Sequence, residues 1–271
     1  MELGLYLRNM GPQATRETLL ECARAAEDLG IDDLWLADHI AIPPDQAEGS
    51  NGRYLDPLAT LAFLAAATSR MRLGTAVLVL PYRPALPTAK WIATIQELSG
   101  GRLLLGVGAG WMAAEFRAVG VDVAQRGAVT DATLEFLHRC FAGDELEMNG
   151  QRFLFRPRPA RPPIFVGGVT AHALRRAVRW GDGWMPMGLD ADALAPAVAD
   201  YKASAARAGK PTPEVVVITT LSLQDPSRAA AEACAFAGAG ATRLVHAWRY
   251  EDATAFRRAA EIMAATVRGA V

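Results

Sequence analysis

Cysteine is scarce in this sequence, with three residues among 271. Cys22, Cys140 and Cys234 are odd in number and far apart, and each falls in a helix-like segment. This distribution fits neither a disulfide framework nor a zinc-binding motif. We therefore expect three reduced, buried cysteines in a cytoplasmic protein.

Neither sign of charge is in excess, because 28 basic and 29 acidic residues leave a net charge of −1. No long basic run is present, which argues against a nucleic-acid partner. No stretch of about 18 residues is free of charged or strongly polar side chains, so we expect no membrane span. The opening MELGLYLRNM lacks the layout of a secretory signal, which again predicts a cytoplasmic protein.

What the sequence does contain is a regular alternation of strand-like apolar runs with longer helix-like segments. The predicted strands are Glu2–Leu7, Asp33–Ala37, Arg72–Leu80, Leu103–Val107, Ile164–Val166, Gly183–Met185, Glu214–Leu223 and Thr242–His246. Strict alternation predicts a parallel sheet, and eight units predict a (β/α)₈ TIM barrel rather than a doubly wound open sheet. We expect one α/β domain over residues 1–271, with a small hairpin insertion at about 145–155 around Asn149-Gly150.

Polar residues at the ends of the predicted strands are the first place to look for chemistry, since barrel active sites lie at the C-terminal ends of the strands. Asp38 and His39 end the second strand, and an imidazole beside a carboxylate suits proton transfer near neutral pH. The alternative is that Asp38 caps the following loop and His39 packs on it. With only Asp225 and His246 at other strand ends, we expect no metal site. The long loop Ile40–Leu55 is the candidate lid.

Two glycine clusters follow the fourth and fifth predicted strands. The segment GVGAGW, residues 106–111, fails the dinucleotide spacing G-x-G-x-x-G because Trp111 replaces the third glycine. Gly167 and Gly168 precede Thr170, which stands at a predicted helix start and suits an anion site. The two clusters predict a flat ligand with a phosphate tail, unless these glycines only form tight turns between strand and helix.

Three segments together resemble the luciferase-like monooxygenase superfamily, and within it the branch that uses coenzyme F420, an 8-hydroxy-5-deazaflavin. These segments are GTAV, RPALPTAKWIATIQELSGGRLLLGVGAGWMAAEF and PPIFVGGVTAHALRRAVRWGDGWMPM. The resemblance covers most of residues 2–190. It implies a barrel that holds a flavin or deazaflavin at its C-terminal mouth, with a bulged third strand and a non-proline cis peptide bond at Ala76–Val77.

The resemblance also implies roles for individual residues. His39 resembles a histidine near the reactive face of the cofactor ring, with Asp38 beside it as the second candidate catalytic residue. The implied cofactor-binding residues are Thr75, Ala76, Val77, Gly108, Ala109, Gly110, Trp111, Gly167, Gly168, Val169, Thr170 and Trp184. Sugar-phosphate dehydrogenases of the superfamily carry a glutamate where Trp111 stands. The nearest carboxylate here is Glu115, which argues against a sugar-phosphate substrate.

The resulting hypothesis is an F420-dependent oxidoreductase that transfers a hydride between the deazaflavin C5 and a small organic substrate. If that substrate carries a phosphate, the candidates to hold it are Arg8, Arg53 and Arg83. One alternative is a monooxygenase that uses reduced FMN and oxygen, and another is a non-catalytic flavin-binding relative. We expect a homodimer formed through the second and third helices, where Trp91 and Ile95 lie.

Overall fold

The computed structural model describes residues 1–47 and 49–271. Its strands are β1 (Glu2–Tyr6), β2 (Asp33–Leu36), β3 (Arg72–Val79), β4 (Leu103–Gly108), β5 (Glu145–Met148), β6 (Gln151–Leu154), β7 (Ile164–Gly167), β8 (Gly183–Met185), β9 (Glu214–Thr219) and β10 (Arg243–His246). Its α-helices are α1 (Arg16–Asp28), α2 (Pro57–Ala67), α3 (Ala85–Leu98), α4 (Ala113–Ala118), α5 (Arg126–Ala142), α6 (Ala171–Trp180), α7 (Ala191–Arg207), α8 (Pro226–Gly238) and α9 (Ala253–Ile262). None of the described helices is both long and apolar enough to cross a membrane.

Eight of the described strands form a closed parallel barrel in the order β1-β2-β3-β4-β7-β8-β9-β10, with β10 paired back to β1. The predicted (β/α)₈ fold is therefore confirmed. The remaining two strands, β5 and β6, form an antiparallel hairpin outside the barrel, between α5 and β7. Asn149 at the turn of this hairpin adopts a positive φ of 53°, a conformation that asparagine tolerates well.

Local signals explain where most helices begin. The side chain of Thr15 accepts a hydrogen bond from the Thr18 N–H and so caps α1, as its sequence position predicts. Thr170 caps α6 in the same way, through the Ala173 N–H. The cap on α6 matters for the site, because it fixes where the first turn of this helix meets the end of β7.

Two details of the fold differ from the sequence-based expectation. The predicted strand Glu214–Leu223 ends four residues early, at Thr219. Beyond this point the Leu221 N–H donates to the side-chain Nδ1 of His246 in β10 rather than to a backbone carbonyl of that strand, so the chain leaves the sheet. Cys234 was expected to be buried but is exposed on α8, whereas Cys22 and Cys140 are buried.

The apolar residues form an outer and an inner layer, because successive side chains of a strand point to opposite faces. The outer layer fills the space between the sheet and the helices, and includes Leu34, Leu105 and Val166. The inner layer fills the barrel itself with the buried side chains of Trp35, Leu104, Phe165, Met185, Val216 and Val245. The barrel is therefore packed below its mouth, as in other barrels of this architecture.

Strand β3 carries a bulge near its C-terminal end. Its pairing with β4 shifts register between Thr75 and Leu78, and the peptide bond Ala76–Val77 is cis, as the resemblance implied. A Cβ atom added to Gly108 would lie 2.6 Å from Val77 Cγ2, and one added to Gly167 would lie 2.8 Å from Val77 Cγ1. The Val77 side chain therefore fits only because β4 and β7 have glycine at these two positions.

We expect Gly108→Ala to lower the free energy of unfolding by about 1–3 kcal/mol, because the new methyl group overpacks against Val77. Adding Val77→Ala should restore part of this loss, since the double variant removes the clash. Urea denaturation of both single variants and the double variant measures the coupling. Gly238→Ala is the control, because its added Cβ meets nothing within 4 Å beyond the backbone of its own helix and its chain neighbours. Additive effects of Gly108→Ala and Val77→Ala would contradict the packing argument.

Candidate active site at the barrel mouth

A cavity of about 680 Å³ lies at the C-terminal ends of the barrel strands. Most of the sequence-predicted site residues line it, namely Asp38, His39, Ala76, Val77, Gly108, Ala109, Gly110, Trp111, Gly167, Gly168 and Thr170. Its volume is in the range of small-molecule and cofactor sites. A second cavity of about 560 Å³ lies outside the barrel, along α6 and α7, and no strand end lines it. The cavity at the mouth is therefore the candidate active site.

His39 reaches this cavity from the segment that follows β2. Its Nδ1 lies 2.9 Å from Glu115 Oε2 in α4, and its side chain is 20% exposed. Two aromatic rings flank the imidazole: the Tyr54 centroid is 4.9 Å away and the Trp111 centroid 6.2 Å away. One ring nitrogen is thus held by a carboxylate, and the ring borders the ligand cavity.

Asp38 is not the carboxylate that contacts His39, although the two residues are neighbours in the sequence. Its oxygens accept two hydrogen bonds from the Arg83 guanidinium, at 2.7 and 2.8 Å. Asp38 Oδ2 also accepts from the Val79 N–H at 2.9 Å. Asp38 therefore ties the end of β3 to the end of β2, and its partner is a partly buried guanidinium rather than an imidazole.

Glu115 is fully buried, at 0% exposure, although its side chain ends in an ionisable carboxyl group. Its Oε1 accepts from the N–H groups of Ile40 and Ala41, at 2.5 and 2.9 Å, and its Oε2 accepts from the Tyr82 hydroxyl at 2.8 Å. Burial opposes ionisation, but these hydrogen bonds and the one to His39 outweigh it and hold the pKa of Glu115 below its usual value. Glu115 is therefore a carboxylate at neutral pH.

The opposite end of the cavity is cationic. Arg126 at the start of α5 and Arg176 in α6 line it, beside Gly168 and Thr170. Arg176 is held in place by Asp131, at 2.7 Å from Nε to Oδ1. The first turn of α6 adds backbone N–H groups with no partner in the helix, so this end can bind an anion such as a phosphate.

Three of the predicted cofactor-binding residues do not line the cavity. Thr75 is buried in β3, where its hydroxyl donates to the Gly106 carbonyl at 2.7 Å. Val169 lies on the surface at 46% exposure. Trp184 packs against Tyr201 outside the barrel, but its Nε1–H donates to the Gly168 carbonyl at 2.6 Å and so supports a cavity wall from behind.

The predicted lid and the predicted phosphate-holding arginines also lie elsewhere. None of the described residues of the loop Ile40–Leu55 lines the cavity, and Glu48 of this loop lies outside the described residues. Arg83 is bound to Asp38 and Asp56. Arg53 donates to the Ala14 carbonyl, and Arg8 lines a separate cavity near Tyr250.

The expectation that site residues lie at the C-terminal ends of the strands did not identify Glu115, Arg126 or Arg176, because all three lie on helices that follow the strand ends. A sequence signal existed for Glu115, which is an acidic residue beside Phe116 on the inner face of α4. For Arg176, the sequence signal is its position about one and a half helical turns after Thr170, the N-cap of α6. Within the described residues, no group of three or more His, Cys, Asp or Glu side chains is arranged to hold a metal ion.

The barrel and its mouth cavity define a (β/α)₈ protein with a ligand site bordered by a histidine at one end and cations at the other. The family described as luciferase-like monooxygenase matches residues 1–270, and the chain belongs to this family. The predicted family is thereby confirmed, and its members are oxidoreductases and monooxygenases.

Known relatives include proteins with different cofactors. An uncharacterized protein of Mycobacterium tuberculosis is 35% identical over 216 residues, which cover 73% of this chain and 75% of the relative. An F420-dependent secondary alcohol dehydrogenase, solved with an F420–acetone adduct, has a TM-score of 0.80 at 16% identity and covers 100% of this chain and 99% of its own. The FMN-bound oxygenating constituent of 3,6-diketocamphane monooxygenase from Pseudomonas putida has a TM-score of 0.81 at 16% identity, with 100% and 98% covered. At this identity the two structures establish the fold alone.

The ionised state of Glu115 predicts a pH dependence of stability. Because its pKa is lower in the folded protein, its contribution is present above its ordinary pKa of 4.5 and is lost as the pH falls through the folded value. We expect Glu115→Gln to be less stable than the wild type by about 1–3 kcal/mol at neutral pH, with a smaller gap at acid pH. Urea denaturation between about pH 7 and pH 3 measures this gap. Glu135→Gln, on the exposed face of α5, is the control, and parallel pH profiles for Glu115→Gln and the wild type would refute the assignment.

Proposed function

We propose that this protein is an F420-dependent oxidoreductase that transfers a hydride between the deazaflavin C5 and a small organic substrate in the mouth cavity. The observation that carries the proposal is His39, whose ring borders the cavity while its Nδ1 meets the buried Glu115 carboxylate at 2.9 Å. Hydride transfer to or from a carbonyl-type carbon is accompanied by transfer of a proton to or from the neighbouring heteroatom. A histidine can hold or move that proton near neutral pH.

The residues of the cavity fit a ring system with an anionic tail. The Ala76–Val77 bulge offers an apolar surface for the ring, and Tyr6 adds a second. Gly168 has a φ of 110°. A Cβ atom added to it would have only Ala173 Cβ nearby, at 3.3 Å, so the backbone of Gly168 is accessible to a ligand. Arg126, Arg176 and the first turn of α6 provide the positive charge that a phosphate requires.

The glycines at the end of β4 support this fit less directly than their pattern in the sequence suggests. The space beside Gly108 is filled by Val77, and a Cβ atom on Gly110 would lie 2.6 Å from Val79 Cγ1. These glycines therefore shape the cavity by admitting the β3 bulge, and Val77 is the surface that would meet a ligand. We keep Gly108, Ala109, Gly110 and Trp111 among the proposed cofactor contacts because they line the cavity.

In the proposed mechanism, F420 supplies the carbon that carries or accepts the hydride. The chain's own residues bind, orient and handle protons. Arg126 and Arg176 hold the anionic tail at one end, and Val77 limits where the ring can lie. His39 gives a proton to the substrate heteroatom or takes one from it at its cavity-facing nitrogen, and Trp111 and Tyr54 limit rotation of its ring.

The decisive test is which cofactor the purified protein binds. We expect quenching of F420 fluorescence on binding, turnover that is lost in His39→Ala, and no tight binding of FMN. Tight binding of FMN alone would instead support a monooxygenase that uses reduced FMN and oxygen. Binding without turnover with any acceptor would support a non-catalytic flavin-binding relative.

The cationic end of the cavity yields a second test. We expect Arg126→Gln to weaken F420 binding by about tenfold or more, because a hydrogen bond to a charged group contributes about 1.5–3 kcal/mol. Arg139→Gln is the matched control, since Arg139 lies exposed on the same helix and does not line the cavity. Fluorescence titration gives the F420 dissociation constants of both variants. Equal constants would show that the anionic tail of F420 does not bind at the cationic end of the cavity.

We also propose a homodimer that forms through α2 and α3. Phe63 of α2 and Trp91 and Leu98 of α3 are exposed although they are large and apolar, with Trp91 at 49% exposure. We expect Trp91→Glu to shift the protein to monomer in sedimentation velocity, because an interface buries such anchors. Trp111→Glu should leave the association state unchanged, since Trp111 lies at the cavity mouth. A monomeric wild type would refute the proposal.

A further inference from the structure

We propose that Glu115 is the positioning residue for His39. It keeps a proton on His39 Nδ1 at all times, so that only Nε2 exchanges protons with a ligand in the cavity. The use of Nε2 in turnover rests on the proposed function, whereas the position of the proton on Nδ1 rests on the geometry of the chain alone.

Four hydrogen-bonding groups surround the Glu115 carboxylate. Its Oε1 accepts from the N–H groups of Ile40 and Ala41, and its Oε2 accepts from the Tyr82 hydroxyl. His39 Nδ1 is the fourth group, at 2.9 Å from Oε2. An ionised carboxylate only accepts hydrogen bonds, so His39 Nδ1 must donate here. A proton on the carboxyl group would have to displace one of these donors.

The other groups around His39 do not compete for Nδ1. Tyr54 and Trp111 contact the imidazole through their rings, and Asp38 is taken by Arg83. Tyr82 faces Glu115 rather than His39. The ring nitrogen that remains is Nε2, and His39 borders the cavity. Glu115 thus selects the tautomer of His39 with the proton on Nδ1. The hydrogen bond made by one ring nitrogen of a histidine generally decides which nitrogen carries the proton.

His246, elsewhere in the chain, provides an internal reference. His246 Nδ1 accepts from the Leu221 N–H at 3.0 Å, so the neutral His246 ring must carry its proton on Nε2. Burial lowers the pKa of His246 to about 4, which keeps this ring neutral at higher pH. One protein therefore contains two histidines for which the structure assigns opposite tautomers.

The test is ¹⁵N NMR of the imidazole nitrogens in the ligand-free protein, over about pH 6–9, on either side of the ordinary histidine pKa. His39→Gln assigns the His39 signals. We expect His39 Nδ1 to carry a proton at every pH in this range, and His246 to carry its proton on Nε2. A neutral His39 with its proton on Nε2 would overturn the proposal without any Glu115 variant.

Two variants separate positioning from a purely structural role. In Glu115→Gln the amide can donate to His39 Nδ1, so we expect the neutral ring to switch its proton to Nε2. If Glu115 only anchored the backbone of residues 40–41, the tautomer would not change, and that result would refute the proposal. Tyr82→Phe removes one donor but keeps the carboxylate, so it should retain the proton on Nδ1.

Failure of this inference can be told apart from failure of the proposed function. The tautomer is measured without cofactor, and the F420 titration is measured by fluorescence. If His39 keeps its proton on Nδ1 but F420 does not bind, the cofactor assignment fails and the positioning role stands. If F420 binds but His39 carries its proton on Nε2, the positioning role fails and the cofactor assignment stands.

Discussion

The barrel mouth depends on the packing of the Val77 side chain between β4 and β7. The bulge in β3 turns this side chain toward two strands that have room for it only at Gly108 and Gly167. The same bulge brings the Val79 N–H to Asp38, and the chain then carries Tyr82 to Glu115. A side chain larger than glycine at position 108 or 167 would therefore disturb both polar contacts as well as the packing.

Two buried carboxylates serve the mouth in different ways. Asp38 is neutralised by Arg83 and joins β2 to β3, so it acts on the backbone of the barrel. Glu115 has no guanidinium partner in the described chain and is stabilised by hydrogen-bond donors alone. A buried carboxylate needs such partners, because an uncompensated charge would be expensive to bury. This difference in partners separates a structural carboxylate from one that can orient a histidine.

The luciferase-like barrel accommodates both deazaflavin and flavin in structures that resemble this chain equally well. A shared fold therefore does not choose the cofactor or the substrate, since function lies in the site that a fold carries. In this chain the relevant features are His39 with Glu115 at one end of the cavity and the cations near α6 at the other. Both features come from side chains outside the barrel strands, which explains how one scaffold hosts different chemistry.

The sequence by itself determined the barrel, its order of elements and the bounds of strands such as Gly183–Met185. These follow from local periodicity, caps and turn residues, which act over a few positions. Only the tertiary structure decided that His39 pairs with Glu115, which is 76 residues away, and that Asp38 pairs with Arg83. Adjacent residues such as Asp38 and His39 diverge to different partners, and nothing local reveals which ones. The glycines of GVGAGW show the same division, because their pattern is visible in the chain but Val77, the reason for Gly108, comes from another strand.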